Sequence, residues 1–216
     1  KSLKLRKSKS LKLRKSKSLK LRKSKRSLSK IKYLRGGGES ILDKSESLHM
    51  AIKSEDYNKF VKLLIIPGVD KLVNNPDNDG FTPLFNATAN ESLDIFKTLL
   101  KIDGINVNQK NTGNDDWSDV TPLFIASIFG YYDKVKELLS IPKIEVNISS
   151  LEHGTPLHGA VQYNHKDIVL ELLSIPEIDV SITDNDNLTP YMLAGMLLGT
   201  RSSDDRVDAN FIINKL

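Results

Sequence analysis

The chain has 216 residues, of which 39% are hydrophobic and none is cysteine. Its longest apolar run, residues 191–199, is about half the length of a membrane-spanning helix, so we expect no transmembrane segment. The lack of cysteine excludes a disulfide framework and thiolate chemistry. We expect an intracellular protein, cytoplasmic or nuclear, whose N-terminus is incomplete because the sequence begins with Lys1 instead of methionine.

The formal net charge of +5 averages two segments of opposite charge. Residues 1–35 contain 17 lysines and arginines and no acidic residue. The rest of the chain contains 15 basic and 27 acidic residues, which gives it a net charge of −12. The composition therefore predicts two regions, a basic tail at residues 1–38 and an acidic domain at residues 39–216.

The basic tail is a tandem repeat of the octad SLKLRKSK. Residues 2–9, 10–17 and 18–25 carry it without a change, and the tail ends in the glycines 36–38. On a helix, each octad is rotated by about 80° from the one before, so the leucines form no stripe. On a strand, lysines share the face of the leucines. At this charge density we expect residues 1–38 to be a disordered, low-complexity tail with a glycine hinge.

Two interpretations of the tail stay open. The first is a solvated segment with no selected role, and the second is an electrostatic contact to nucleic acid or anionic lipid through residues 1–35. No aromatic residue precedes Tyr33, so any contact to nucleic acid would be driven by phosphate and blind to sequence. Ser8, Ser16 and Ser24 each follow Arg-Lys, which suits a kinase that prefers basic surroundings, and we predict them as phosphorylation sites.

The remainder of the sequence is an internal repeat. Thr-Pro dipeptides begin at Thr82, Thr121, Thr155 and Thr189, with spacings of 39, 34 and 34 residues, and a fainter copy begins at Glu46. Counted from the first residue of a copy, position +5 is alanine in all five copies, and leucines occupy +17 and +18 in the first four. These intervals predict five stacked helical pairs, repeats 1 to 5, at residues 46–81, 82–120, 121–154, 155–188 and 189–216.

The repeated positions match the physical requirements of a helical pair. Threonine can cap the first helix, and proline is tolerated in its first turn. Alanine at +5 lets neighbouring helices approach closely, and Gly130 and Asn164 at +9 end the first helix in a left-handed conformation. An acidic residue at +12 opens the second helix near its positive end, and the Leu-Leu pair gives that helix a buried face.

The sequence resembles the ankyrin-repeat family. The resemblance rests on TPLF at 82–85 and 121–124, TPLH at 155–158 followed by Ala160, and IDVS at 178–181. It covers residues 46–216 and implies an all-α repeat solenoid of stacked helix–turn–helix units with loop or β-turn fingers. Glu55 and Glu91 depart from the glycine that the family usually has at +9. The last copy lacks the Leu-Leu pair and looks like a C-terminal cap or a truncated repeat.

No motif in the sequence indicates catalysis. The chain has no glycine-rich phosphate loop and no nucleophile motif, and its four histidines lack metal-ligand spacing. His49 and His158 share position +3, where we expect each to cap its own helix by a hydrogen bond. We therefore expect no enzyme activity, no cofactor and no metal site.

The resemblance implies a non-catalytic scaffold that binds a protein partner through its concave face. In the family this face is formed by the loop tips before each Thr-Pro and by the exposed end of each first helix. Carried onto this sequence, the predicted contact residues are Phe81, Trp117, Val120, Phe129, Glu152, Gln162, Tyr163 and Leu188. Trp117, the only tryptophan, lies in the longest insertion among aspartates, and aromatic anchors inside a polar rim are typical of a binding hot spot. An alternative stays open, in which Phe129 and Trp117 pack within the array.

Two other functions remain alternatives. One is a nucleic-acid or anionic-membrane tether that acts through the basic tail, and the other is the scaffold fragment of a larger multidomain protein. The tether predicts binding that weakens steeply with salt. The leading prediction, a protein-interaction scaffold with an unidentified protein partner, places the binding in the repeats instead.

Overall fold

The computed structural model describes residues 41–113, 118–198 and 215. In this part of the chain all regular secondary structure is helical, apart from a single antiparallel bridge between Ser150 and Gly154. The helices are α1 Ile41–Lys53, α2 Tyr57–Leu64, α3 Pro83–Ala89, α4 Leu93–Leu100, α5 Pro122–Phe129, α6 Tyr132–Leu139, α7 Pro156–Tyr163, α8 Lys166–Leu173 and α9 Pro190–Leu198, with one 3-10 turn at Asp70–Leu72. The predictions of a disordered tail, a glycine hinge and phosphorylated serines concern residues outside those described.

The helices pack as consecutive pairs that stack along the chain. Helices α1 and α2, α3 and α4, α5 and α6, and α7 and α8 contact each other within repeats 1 to 4. The first helices of successive repeats contact one another from α1 to α9, and the second helices do so from α2 to α8. The predicted all-α repeat solenoid is therefore confirmed, and it explains why insertions occur only in the connections.

The first helices begin as the Thr-Pro pattern predicts. The backbone N–H of Phe85 donates to Thr82 Oγ1 at 3.1 Å, and Thr121 and Thr189 accept the equivalent bond from the residue three positions on. Proline occupies the first turn of the capped helices, where its missing N–H leaves no hydrogen bond unmade. Each cap satisfies one of the otherwise free amides at the helix start.

Among repeats 1 to 4, the first helix of repeat 2 ends differently from the other three. Gly130 and Asn164 follow α5 and α7 with φ angles of 75° and 62°, the left-handed conformation expected at +9. Glu55 also has a positive φ, 55°, although it carries a side chain. In repeat 2 the helix instead ends at Asn90, which is extended, so Glu91 does not take the glycine role.

The core is continuous from the first repeat to the last. The +5 alanines are all buried, with exposed fractions of at most 1%, namely Ala51, Ala87, Ala126, Ala160 and Ala194. In each Leu-Leu pair the first leucine is buried and the second packs against the core from its edge. Position +2 is buried in repeats 1 to 4, but Tyr191 in α9 is 54% exposed because none of the described residues packs beyond it. Stability must therefore come from contacts between neighbouring repeats.

Candidate partner-binding site

The loops before the Thr-Pro steps close as similar turns. In turn 1, residues 77–81, the backbone N–H of Asp77 donates to the Phe81 carbonyl at 2.9 Å, and Asp77 Oδ1 accepts from the Phe81 N–H at 3.0 Å. In turn 4, residues 184–188, Asp184 and Leu188 exchange the same two bonds. Turn 3, residues 150–154, keeps the backbone bond from Ser150 to the Gly154 carbonyl. A polar residue five positions before threonine therefore shapes these turns, a spacing that was visible in the sequence.

Turn 2, residues 111–120, is closed by the same two bonds between Asn111 and Val120. Asn111 N–H donates to the Val120 carbonyl at 3.1 Å, and Asn111 Oδ1 accepts from the Val120 N–H at 2.9 Å. Asn111 thus lies ten positions before Thr121 instead of five, and the extra residues of repeat 2 fall inside the turn. Trp117, predicted as the central anchor, lies outside the described residues.

A second apolar cluster, separate from the main core, joins the turns to the first helices. Its buried members are Phe81, Phe85, Val120, Phe124, Ile125 and Ile128, and Ala89, Phe129 and Tyr163 pack against it while remaining partly exposed. The rings of Phe81 and Phe85 are stacked, with centroids 4.7 Å apart and planes 8° from parallel. The cluster therefore forms a packed apolar floor that spans repeats 2 to 4.

Two of the predicted contact residues lie in this floor. Phe81 is 6% exposed and Val120 is 1% exposed, because helix residues at +3 of repeats 2 and 3 cover them. Their side chains are covered within the array, which corrects the prediction that they offer contact surface. Phe129 and Tyr163 lie at the edge of the cluster and keep part of their surface accessible.

The other predicted contact residues are separated from the cluster. Glu152 is exposed in turn 3, and its neighbour Leu151 has an exposed fraction of 82%. Gln162 is half-buried near the end of α7. Leu188 is half-buried and packs against the main core, and its carbonyl oxygen lies 3.0 Å from His158 Nε2.

Asp119 is a charged residue that the sequence analysis did not single out. Its Oδ1 lies 2.9 Å from Lys110 Nζ, and its Oδ2 accepts from the backbone N–H of Leu151 at 3.1 Å. Asp119 therefore ties turn 2 to turn 3 and places the exposed Leu151 beside a carboxylate. The only sequence signal was an aspartate two residues before the Thr-Pro step.

A buried polar network holds turn 1 against α1. Lys53 Nζ lies 2.7 Å from Asp77 Oδ2, which also accepts from Asn86 Nδ2 at 3.0 Å. Burial alone would raise the pKa of Asp77, but the hydrogen bonds from Lys53, Phe81 and Asn86 outweigh it and lower that pKa. Asp77 thus stays ionised and anchors the turn.

The two histidines at +3 behave differently. His158 Nδ1 accepts from the backbone N–H of Thr155 at 3.1 Å, which confirms the predicted helix cap. The same prediction for His49 is wrong, because α1 begins well before it and its Nε2 lies 2.9 Å from the carbonyl oxygen of Asn75. Burial, opposed by the Asn75 bond and the Asp77 charge, lowers the pKa of His49.

Neither a metal site nor a membrane span occurs in the described part of the chain. Residues 41–113 and 118–198 contain no group of three or more histidine, aspartate or glutamate side chains that could hold a metal ion. No helix within the same ranges combines the length and the apolar character needed to cross a bilayer.

A family model supports the interpretation of the repeats. The model of ankyrin repeats (3 copies) matches residues 25–111, 48–150 and 123–199. The chain belongs to the ankyrin-repeat family. Ankyrin repeats are generally protein–protein interaction modules. No curated protein matches the chain.

Proposed function

We propose that the protein is a non-catalytic scaffold that binds a protein partner through the concave face of its ankyrin repeats. The observation that carries the proposal is the rigid second apolar cluster with Phe129 and Tyr163 at its edge. Aromatic side chains held in place by a packed floor lose little entropy on binding, which is the property expected of interface anchors. The division into a basic tail at 1–38 and a repeat domain at 39–216 is part of this proposal.

The composition of the face suggests the chemistry of the partner. Leu151, Phe129 and Tyr163 offer apolar and aromatic surface in the middle of the array, while Glu152 places an exposed carboxylate beside them. A partner segment that combines an apolar side chain with a lysine or arginine would complement both parts. The insertion in turn 2 adds Trp117, which we propose as a further anchor.

Affinity capture followed by mass spectrometry tests this assignment. The full chain, a Trp117→Ala/Tyr163→Ala variant and a Tyr57→Ala control are compared after nuclease treatment, with circular dichroism to verify folding. Tyr57 is a suitable control because it is 43% exposed but lies on α2, away from the turns. We expect the double variant to lose proteins that both other chains retain. Equal capture by all three chains would contradict binding at the concave face.

The strongly basic composition of residues 1–35 keeps the tether as a second candidate, because 17 positive charges with no acid favour polyanions. Binding to heparin that falls steeply between low and high salt, and that is lost from a chain shortened to begin at Glu39, would support it. Retention of binding by the shortened chain would exclude the tail as its source.

A further inference from the structure

A groove separate from the concave face lies between the second helices of repeats 3 and 4. It has a volume of about 310 Å³ and is lined by Tyr132 of α6 and by Asp167, Leu170, Glu171 and Ser174 on and after α8. Tyr132 and Leu170 are 36% and 38% exposed, and both carboxylates are accessible or half-buried at its edge. The groove thus combines an aromatic ring, an aliphatic side chain and two acids.

One repeat earlier, between α4 and α6, the positions equivalent to the groove form an ion pair. Between α4 and α6, Lys97 at +15 places its Nζ 2.7 Å from Oε1 of Glu137, which is at +16 of the next repeat. The equivalent residues between α6 and α8 are Lys136 and Glu171. They do not pair, because Lys136 Nζ lies 5.6 Å from the centre of the Tyr132 ring and Glu171 Oε2 accepts a hydrogen bond from the Tyr132 hydroxyl at 2.8 Å.

The groove holds two carboxylates beside one lysine, Lys136, whose Nζ lies over the Tyr132 ring. Among the described residues, neither Asp167 nor Glu171 has a cationic side chain within ion-pair distance. The hydrogen bond to Glu171, together with burial and the nearby carboxylates of Asp167 and Asp133, raises the pKa of Tyr132. A cation from outside the described residues could therefore pair with Glu171. The equivalent acid one repeat earlier, Glu137, is already neutralised by Lys97.

We propose that this groove binds an arginine side chain of a partner protein. The planar guanidinium can direct its forked N–H groups to the carboxylates of Glu171 and Asp167 beside the Tyr132 ring. Its aliphatic stem would pack on Leu170. Arginine fits better than lysine because it presents a flat, weakly hydrated cation with several donors. The surface is independent of the concave face, so the chain would engage a partner at two places.

The test is a nuclear magnetic resonance titration of the full ¹⁵N-labelled chain with two peptides. Both have the sequence acetyl-Gly-Ser-Leu-X-Ser-Gly-amide, with X either arginine or its uncharged isostere citrulline. We expect the arginine peptide to shift the amide signals of Tyr132, Leu170 and Ser174, and the citrulline peptide to bind about tenfold more weakly or worse. Equal shifts from both peptides, or no shifts at these residues, would overturn the proposal.

Three variants separate binding from a purely structural role of the Tyr132–Glu171 bond. Glu171→Gln should weaken the arginine peptide about tenfold, whereas Glu137→Gln, whose acid is already paired with Lys97, should not change its affinity. Tyr132→Phe frees the Glu171 carboxylate but keeps the ring, so binding should be retained or strengthened. Equal weakening by Glu171→Gln and Glu137→Gln, or loss of binding in a folded Tyr132→Phe chain, would overturn it.

Discussion

Lys134 Nζ in α6 donates a hydrogen bond to the carbonyl oxygen of Ala87 in α3 at 2.9 Å, so a lysine of repeat 3 caps the first helix of repeat 2. The same ammonium group donates to the carbonyl oxygens of Thr88 and Asn90. Lys134 is only 3% exposed, and its Nζ also lies 4.9 Å from the centre of the Tyr131 ring. A helix that ends without a left-handed residue is therefore completed by the neighbouring repeat.

Replacing Lys134 by methionine should lower the free energy of unfolding by about 2 kcal/mol at pH 7. The apolar side chain can fill the space, but it leaves the carbonyls of Ala87 and Thr88 buried without their donor. Lys136→Met on the exposed side of the same helix is the control and should change little. Urea denaturation compares the two variants. Similar losses in both would mean that the cap contributes nothing specific.

The stability difference between the native chain and Lys134→Met should depend on alkaline pH. Burial outweighs the attraction of Glu55 and Glu91 and lowers the pKa of Lys134 from 10.5 to about 8. Between these values the unfolded chain keeps a proton that the folded chain has released, so folding becomes more favourable as pH rises. We expect the native chain to gain stability relative to the variant from pH 8 to pH 10. A constant difference would show that Lys134 titrates normally.

Gly159 in α7 should be required for close packing against α5. A Cβ atom at this position would lie 2.6 Å from Cγ2 of Ile128, a β-branched side chain with little freedom to move. Gly159→Ala should therefore destabilise the fold by about 1–2 kcal/mol despite its better helix propensity. Gly195→Ala in α9 is the matched control, because nothing lies within 4 Å of its added Cβ. Denaturation midpoints that move in the same direction for both variants would contradict this account.

Asn108 should contribute through bonds to the next repeat. Its Nδ2 donates to the Lys143 carbonyl at 2.7 Å, and its Oδ1 accepts from the Glu145 N–H at 3.0 Å. Asn74 and Asn147 make the same pair of bonds one repeat before and after. Asn108→Ala should cost about 1–2 kcal/mol in urea denaturation, whereas the exposed Asn78→Ala should be nearly neutral. Equal losses of stability in the two variants would show that water replaces the hydrogen bonds of Asn108.

Sequence reasoning predicted the parts of the fold that depend on local stereochemistry. Threonine caps, the left-handed Gly130 and Asn164, and the buried +5 alanines each follow from one residue type at one repeat position. These features recur at fixed spacing, so each copy supports the interpretation of the others. The insertion in repeat 2 was also placed in a connection, although the five-residue spacing that closes each turn was not used.

The errors arose where the environment of a residue is set by a neighbouring repeat. Phe81 and Val120 lie in loops, yet helix residues of the array cover them. Lys134 occupies position +13, where Ile95 and Ile168 are buried in the adjacent repeats. A lysine is ordinarily a surface residue, so only its repeat position indicated burial, and its partner carbonyls lie more than 40 residues earlier in the chain.

Site-specific photo-crosslinking tests most directly whether the concave face binds the partner. Benzoylphenylalanine is introduced in place of Tyr163 in one chain and in place of Tyr57 in another, and the adducts formed in cell extract are identified by mass spectrometry. We predict a reproducible adduct from position 163, which position 57 forms several-fold less or not at all, and its loss when Trp117→Ala is added. Equal adducts from both positions, or an adduct from position 57 alone, would contradict the assignment of the concave face as the binding site.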